Sequence, residues 1–448
     1  YFPAFDDQDE LVRQLVRAAW YFSPLQSAAF TMGSDLEDPG FRVPDCYDST
    51  IEPTLKKLRS SGRARLVPAQ ELRAAVEQSD AVVCWRGIEA LDKELGKGFA
   101  ERYQANGGRI LNVDCRHRME GSLYIDALNK LHGPARHLEE SQTRFHELSR
   151  RASADDAFLF CTGPSISDYS NYRFDRGVSV ICNSVINDTE LMEAVRPTVH
   201  VFADPIFHFG CSRYAQLFRD QLSEVAPRFD LSLVLPEKYY TLFRHHSPEL
   251  ADRIIALPFS KDVAVNLDLN DDFRLHTTDN VLTFLMLPVG GSLARRVHLL
   301  GCDGRKLEED DYFWTHNPST QFVGEMDSIQ EAHPSFFKLD YNEYYIRHCE
   351  TLAQYLETGE RLGKRFFSMT FSHIPALKER EHPYFEQAHD EGYRKVYLSI
   401  NPDLVDAAGH NLSYDLRLRE GLSKPAYHSV LAGHEACNGL PCPVRNVV

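Results

Sequence analysis

The stretch Ala157–Cys161 constrains this chain most: four consecutive apolar residues, Phe-Leu-Phe-Cys, lie inside it, and Thr162-Gly163-Pro164-Ser165 follows at once. A strand without polar alternation must be covered on both faces, which is the situation of a parallel sheet between layers of helices. Gly163 and Pro164 end the strand, and Ser165 places a hydroxyl beside newly exposed backbone N–H groups. In an open parallel sheet, ligands bind at this carboxyl end of the strands. A turn of small residues there can bring N–H donors to a phosphate. Taken alone, the eight residues fit an ordinary strand-to-loop turn equally well.

Their surroundings repeat the pattern. Further strand candidates are Val178–Cys182, Thr198–Ala203, Leu231–Leu235, Ile254–Leu257, Val297–Leu300 and Arg365–Met369. Thr162, Asn183 and Asp204 end the first three strands, each 21 residues after the last. Successive βα units that each deliver one polar side chain to the same sheet edge build one site.

At 448 residues the chain exceeds a single core, and two or three domains are expected. Residues 1–150 alternate short strands (Ala28–Met32, Ala64–Pro68, Ala81–Trp85, Arg109–Val113) with helices (Leu11–Trp20, Ile51–Ser61, Ala69–Gln78, Ile88–Gln104). This reads as a small α/β domain. Residues 151–380 form the second α/β domain, and 381–448 an extension. The expected fold class is therefore α/β, with two Rossmann-like domains of mainly parallel sheets, the nucleotide site in the second, and a further C-terminal unit beginning.

A formal charge of −16 argues against general nucleic-acid binding. The ten cysteines include no CxxC pair, and Cys84, Cys161, Cys182 and Cys302 fall in or beside apolar runs. They read as reduced thiols of a cytoplasmic protein, free or peripheral at the inner face of a membrane. No apolar run approaches the roughly 18–20 residues that span a bilayer. His208 and Cys211 lack partners at metal-ligand spacing.

Beyond the second domain's central strands, Thr277–Pro288 reads as a capped apolar helix. Gly301-Cys302-Asp303-Gly304 follows a strand and opens a long loop, Leu307 to Phe337. That loop carries Tyr312, Trp314, His316 and His333-Pro334-Ser335. Loops of this length are commonly lids. Tyr341–Arg361 is a helix. Val396–Ile400 reads as a strand, with a Gly409-His410 loop and a helix over Tyr414–Gly421. A strand, a Gly-His loop and a helix resemble the first unit of a two-Rossmann glycosyltransferase, so the chain is expected to belong to a longer multidomain enzyme.

In order, Thr162-Gly163-Pro164-Ser165, Cys182-Asn183, Asp204-Pro205, Gly301-Cys302-Asp303 and His333 resemble the bacterial lipooligosaccharide sialyltransferases. The Gly-Pro-Ser turn and Asp-Pro are also similar to the motility-accessory-factor and hydroxymethylpterin diphosphokinase-like proteins. The resemblance covers about residues 157–375. It implies a glycosyltransferase that moves a sialic acid, Kdn or Kdo type sugar from a CMP-activated donor to a bacterial surface glycan or lipid-linked glycan. No metal is obligatory in that chemistry. Thr162, Gly163, Pro164 and Ser165 would meet the cytidine monophosphate, and Asn183 the nucleotide or donor sugar. Thr278, Asp279 and Asn280 would meet base and ribose, with Asp303 beneath. Tyr312 would hold the leaving phosphate, and His333 would be the base.

The chain departs from that pattern at Thr162 and Asp204, which replace asparagines, and at Arg305, which stands where a second tyrosine is expected. A guanidinium neutralises phosphate as well as a phenol does. Asp204 leaves two outcomes open. Either His333 deprotonates the acceptor and the configuration inverts, or Asp204 attacks the anomeric carbon and the product retains it. The plain reading of Asp204 is a cap on the following turn. Two other functions stand beside the transferase: a phosphoryl transferase using Mg²⁺ and a nucleoside triphosphate, without a P-loop, and a non-catalytic glycan-binding or scaffold domain.

Overall fold

The computed structural model describes residues 1–39, 42–133, 137–152, 154–172, 174–175, 177–306, 318–336, 340–380, 397–400 and 414–417. Four short strands belong to the first third: β1 (Phe30–Gly33), β2 (Ala64–Val67), β3 (Ala81–Cys84) and β4 (Arg109–Asn112). They pair in parallel as β1 with β2 and β3 with β4. The extended segment at the start of the chain lies between these pairs, with parallel bridges from Phe2 to Cys84 and from Phe5 to Ser34.

The second half is built on β5 (Asp156–Phe160), β6 (Gly177–Cys182), β7 (Val199–Val201), β8 (Ser232–Pro236) and β9 (Ile254–Leu257). A small parallel pair follows, β10 (Phe259–Ser260) and β11 (Leu275–His276), and then β12 (Arg296–Leu300) and β13 (Arg365–Ser368). Seven of these strands form one all-parallel sheet in the order β13-β12-β5-β6-β7-β8-β9. The protein is thus mixed α/β, with a doubly wound sheet whose strand order reverses between β5 and β12. In such sheets the reversal point opens the crevice where ligands bind.

The apolar run at β5 buries as its pattern requires: Ala157, Phe158, Leu159 and Phe160 are wholly buried. Cutting one of these phenylalanines back to alanine would cost about 3–5 kcal/mol. Asp156 opens the strand as a buried carboxylate. Arg296 bonds it through Nε and Nη2 at 2.7 and 2.6 Å, and His298 Nε2 at 2.7 Å. Burial alone would raise its pKa, but the hydrogen bonds from His298 and Arg296 outweigh burial and bring it down to about 2.

One apolar core runs from the first third into the large sheet. Trp20, on the helix Gln8–Tyr21, donates its indole N–H to the Phe209 carbonyl at 2.9 Å and stacks on His246 at 3.5 Å. The helix Leu138–Arg151 lies on β9, where Arg144 reaches the Ile254 carbonyl at 3.0 Å and Ser141 accepts the Ala256 N–H at 3.0 Å.

Four elements differ from the sequence expectation. The helix expected over Ile88–Gln104 is two, Glu89–Leu95 and Phe99–Ala105, because Gly96 and Gly98 between them take positive φ. The helix expected to stop at Pro288 opens with a π turn, Leu282–Met286, and continues as α-helix to Leu293. The wider turn places Pro288 at the start of the regular helix, where its missing N–H costs little. Residues 318–336 fold into short helical pieces, including Met326–Ala332, not an open loop. Tyr414–Arg417 is a strand, antiparallel to Tyr397–Ile400, where a helix was expected. Its Tyr-Asp-Leu-Arg alternation has the two-residue period of a strand. Among the described residues, no helix is long and apolar enough to cross a membrane.

Candidate functional site

The register explains why one edge of the sheet gathers the site. Phe160 is level with Leu300 on one side and Ile181 on the other, and Cys182 with Val201. The chain therefore leaves β5, β12, β6 and β7 at nearly one height. A cavity of about 280 Å³ lies there, lined by Thr162, Asn183, Asp204 and Asp303 from the four strand ends, and by Thr278, Asp279 and Asn280. These are seven of the sequence-predicted residues. Cys161, Cys182 and Cys302 also line it, as do Tyr239, Tyr344, His348 and, from the first third, Met119.

The turn after β5 is held by close backbone approach. Gly163 donates its N–H to the Gly301 carbonyl at 2.9 Å, and the Ile166 N–H returns to the Gly163 carbonyl at 3.0 Å. The Ser165 N–H donates to both Asp303 carboxylate oxygens at 3.3 and 3.2 Å, and its hydroxyl pairs with Thr370 at 2.8 Å. Pro164 starts a 3₁₀ turn to Asn171. Gly163, Pro164 and Ser165 therefore form the support of Asp303 and do not line the cavity themselves. The turn expected to offer a row of free N–H donors has already used those of Gly163, Ser165 and Ile166, and Pro164 has none.

Asn183 begins a 3₁₀ turn with φ 48°, a left-handed conformation that is uncommon for a residue with a side chain. His200, on the neighbouring strand, bonds its carbonyl through Nε2 at 2.8 Å. The Asn183 Oδ1 is buried with no hydrogen-bond partner among the described residues. An acceptor without a partner in a cavity wall leaves its lone pairs open to whatever the cavity holds.

Asp204 Oδ1 accepts the backbone N–H groups of Ile206 and Phe207, both at 2.8 Å. The Asp204 N–H in turn donates to His208 Nδ1 at 3.0 Å. The cap expected of this carboxylate is therefore formed, and the residue also faces the cavity. Burial raises the Asp204 pKa, against the two N–H donors and the charge of His333. Asp303 is pushed up to about 6, chiefly by burial and against its bonds from Ser165. Burial takes His348 down to about 4, so it is neutral at pH 7.

His333 is placed otherwise. It is fully buried and does not line the cavity. Its Nδ1 meets Glu120 Oε1 at 2.9 Å, and its Nε2 lies 3.8 Å from the Cys211 sulfur. Arg17 completes this cluster, donating Nη2 to Glu120 at 2.5 Å and to the Ala332 carbonyl at 2.9 Å. Arg305 does not line the cavity and has Nη1 on the Lys306 carbonyl at 3.1 Å, Nη2 on Asn342, and its guanidinium 4.9 Å from the Tyr345 ring. Tyr312, Trp314 and His316 lie outside the described residues.

The histidine on the wall, His348, was missed. It sits with Tyr345, Leu352, Tyr355 and Leu356 on the buried stripe of the helix Tyr341–Arg361. The available signal was a histidine at i+3 and i−4 spacing within an apolar stripe. Among the described residues, no group of three or more His, Cys, Asp or Glu is arranged to hold a metal ion.

No family model matches the sequence, and no curated protein matches it. Two solved structures are similar in fold. One is the sialyltransferase CstII from Campylobacter jejuni in complex with a substrate analogue, cytidine-5'-monophosphate. It is 13% identical, with 62% of this chain and 97% of that chain covered and a TM-score of 0.27. The other is the monofunctional alpha-2,3-sialyltransferase Cst-I from the same organism, also 13% identical, covering 63% and 95%, with a TM-score of 0.29.

Proposed function

We propose that the cavity is a nucleotide-sugar site and that the protein is a glycosyltransferase moving an ulosonic acid from a CMP-activated donor to a glycan. The observation that carries this reading is the cavity at the reversal of strand order, walled by Thr162, Asn183, Asp204 and Asp303. The donor class rests on the order of motifs in the sequence. At about 280 Å³ the cavity suits the nucleotide portion, and the sugar extends beyond it. Asn183 Oδ1 accepts from an amino or hydroxyl group of that portion. Asp204, with Oδ1 committed to the turn, positions the donor sugar. His333 is the base named by the motif order and His348 is the histidine at the cavity. The two are separated by comparing His333→Asn with His348→Asn for transfer and for nucleotide affinity. A base loses transfer with affinity kept, whereas a wall residue loses both.

The charge of the cavity favours weighing a second reading. Its lining carries Asp204, Asp279 and Asp303, and no lysine or arginine among the described residues. Of these carboxylates Asp279 has Arg347 at 3.8 Å, and a wall of this kind suits a nucleotide that arrives with Mg²⁺, as a phosphoryl transferase requires. Thermal-shift measurements with CMP, CTP and GTP, each with and without Mg²⁺, separate the readings. A ligand at 100 times its Kd stabilises by about 2.7 kcal/mol. Stabilisation by CMP without metal supports the transferase, and stabilisation only by a triphosphate with Mg²⁺ overturns it. Release of CMP across a panel of CMP-sugars then identifies the donor.

A further inference from the structure

Three cysteines meet at the floor of the cavity, on neighbouring strand ends. The Cys161 and Cys302 sulfurs lie 2.9 Å apart, both as free thiols. Cys182 lies on the other side of Cys161, with its thiol on the Phe160 carbonyl at 3.5 Å. Met286 supplies a fourth sulfur, 3.7 Å from Cys161.

Two features of the backbone hold the closest pair together. The Cys161 N–H donates to the Leu300 carbonyl at 2.8 Å, continuing the ladder between β5 and β12. Gly301 then turns the chain at φ +76°, and a Cβ there would lie 2.6 Å from the Cys161 carbonyl oxygen. That turn carries Cys302 back over Cys161. A disulfide bond is about 2.05 Å long, so closing this one requires the sulfurs to approach by less than about 1 Å. The cavity lies against both side chains and admits a small oxidant.

We propose that Cys161 and Cys302 form a reversible disulfide across the floor of this site, making the cavity a target for peroxides. The Cys161 thiolate attacks a peroxide oxygen, giving a sulfenic acid and hydroxide. The Cys302 sulfur then attacks the Cys161 sulfur, forming the S–S bond and expelling the second oxygen as water once its proton is supplied. Two thiols are oxidised, and one hydrogen peroxide is reduced to two waters. Cys161 is the attacking residue because the neighbouring thiols of Cys182 and Cys302 favour its thiolate, Cys302 donating to it at 2.9 Å, while the same contacts and burial push Cys182 and Cys302 up. The bond ties the Gly301–Gly304 turn, and Asp303 on it, to the end of β5. The inference holds whichever nucleotide the cavity takes.

The test is peptide mapping of the full chain after hydrogen peroxide, with remaining thiols alkylated under denaturing conditions and no reductant. The expected result is two fewer titratable thiols than the ten the sequence carries, and a tryptic pair linking residues 152–173 to 297–305. Dithiothreitol should dissolve the pair. Cys302→Ser should abolish it and leave Cys161 trapped by dimedone as sulfenic acid, whereas Cys182→Ser should keep it. If Cys302→Ser fails to fold, the map of the parent chain decides alone. All ten thiols surviving, a Cys161–Cys182 link, or Cys161 passing to sulfinic acid without a link would overturn the proposal.

Discussion

Gly163 and Asp303 approach so closely that a Cβ at position 163 would lie 2.1 Å from Asp303 Oδ2 and 2.6 Å from the Gly301 carbonyl oxygen. The end of β5 and the end of β12 are thus fitted to each other at backbone distance, and the carboxylate in the cavity wall is set by a glycine. Gly163→Ala must displace either Asp303 or the Gly301 turn, since backbone cannot yield as a side chain does. It should cost about 1–3 kcal/mol in urea unfolding, the usual cost of overpacking. Nucleotide affinity should fall at the same time. Unchanged stability would mean that the two strand ends part easily.

Asn183 allows backbone and side-chain roles to be separated. Asn183→Gly removes the side chain but accepts the left-handed φ of 48° freely. Asn183→Ala removes it and adds roughly 1 kcal/mol of strain. Thermal unfolding should therefore rank alanine below glycine, while calorimetry should show both losing CMP affinity by about 1–2 kcal/mol. Intact affinity in the glycine variant would remove Asn183 from the ligand contacts.

Asp303 makes stability depend on pH in a defined window. Its pKa is about 6 in the folded chain against 3.8 for the ordinary carboxyl, so the folded state binds the extra proton between those values. Stability from this group is therefore greatest below 3.8 and falls as pH rises to about 6. Asp303→Asn should be the more stable protein at pH 7 by about 1 kcal/mol or more, and equal to the parent near pH 4. It should also bind CMP more tightly at pH 7, where the parent presents a second anion. Equal unfolding midpoints at pH 7 would contradict the raised pKa.

Asp204 has Oδ1 held by two N–H groups at 2.8 Å, which keeps it oriented and less nucleophilic. Intact-mass measurement after incubation with a CMP-sugar alone should show no covalent adduct, as inversion requires. An adduct on the parent that disappears in Asp204→Asn would establish a glycosyl-enzyme and retention.

Glu120 and Arg17 are both 1% exposed and bonded at 2.5 Å. Glu120→Ala leaves the guanidinium buried beside His333 with Glu10, 3.6 Å away, as its remaining carboxylate, which should cost about 3 kcal/mol, the low end for a broken buried pair. Equilibrium unfolding in urea measures it, and a loss under 1 kcal/mol would mean that solvent reaches the cluster.

The sequence by itself determined the large sheet. Each of its seven strands was legible as a short, mainly apolar run between turn signals, because a strand covered on both faces leaves little room for polar residues, with Ser179, His200 and His298 as buried exceptions. The even spacing of Thr162, Asn183 and Asp204 likewise placed three polar residues on one edge, since equal βα units return the chain to equal heights. Local composition carried no sign of the sealed contacts. That Ser165 would spend its backbone N–H on Asp303, and that His333 would turn to Glu120 from the first third, depends on groups 138 and 213 positions apart in the chain.

The tertiary structure alone decided which polar residues face the cavity and which support it. His348 entered the wall because its helix lays an apolar stripe on the sheet, and only packing fixes how far along that stripe the cavity reaches. The three thiols became neighbours because the register of β12, β5 and β6 is level at Phe160. Register is a property of strand pairs, set by hydrogen bonds between segments distant in the chain, and no single segment encodes it.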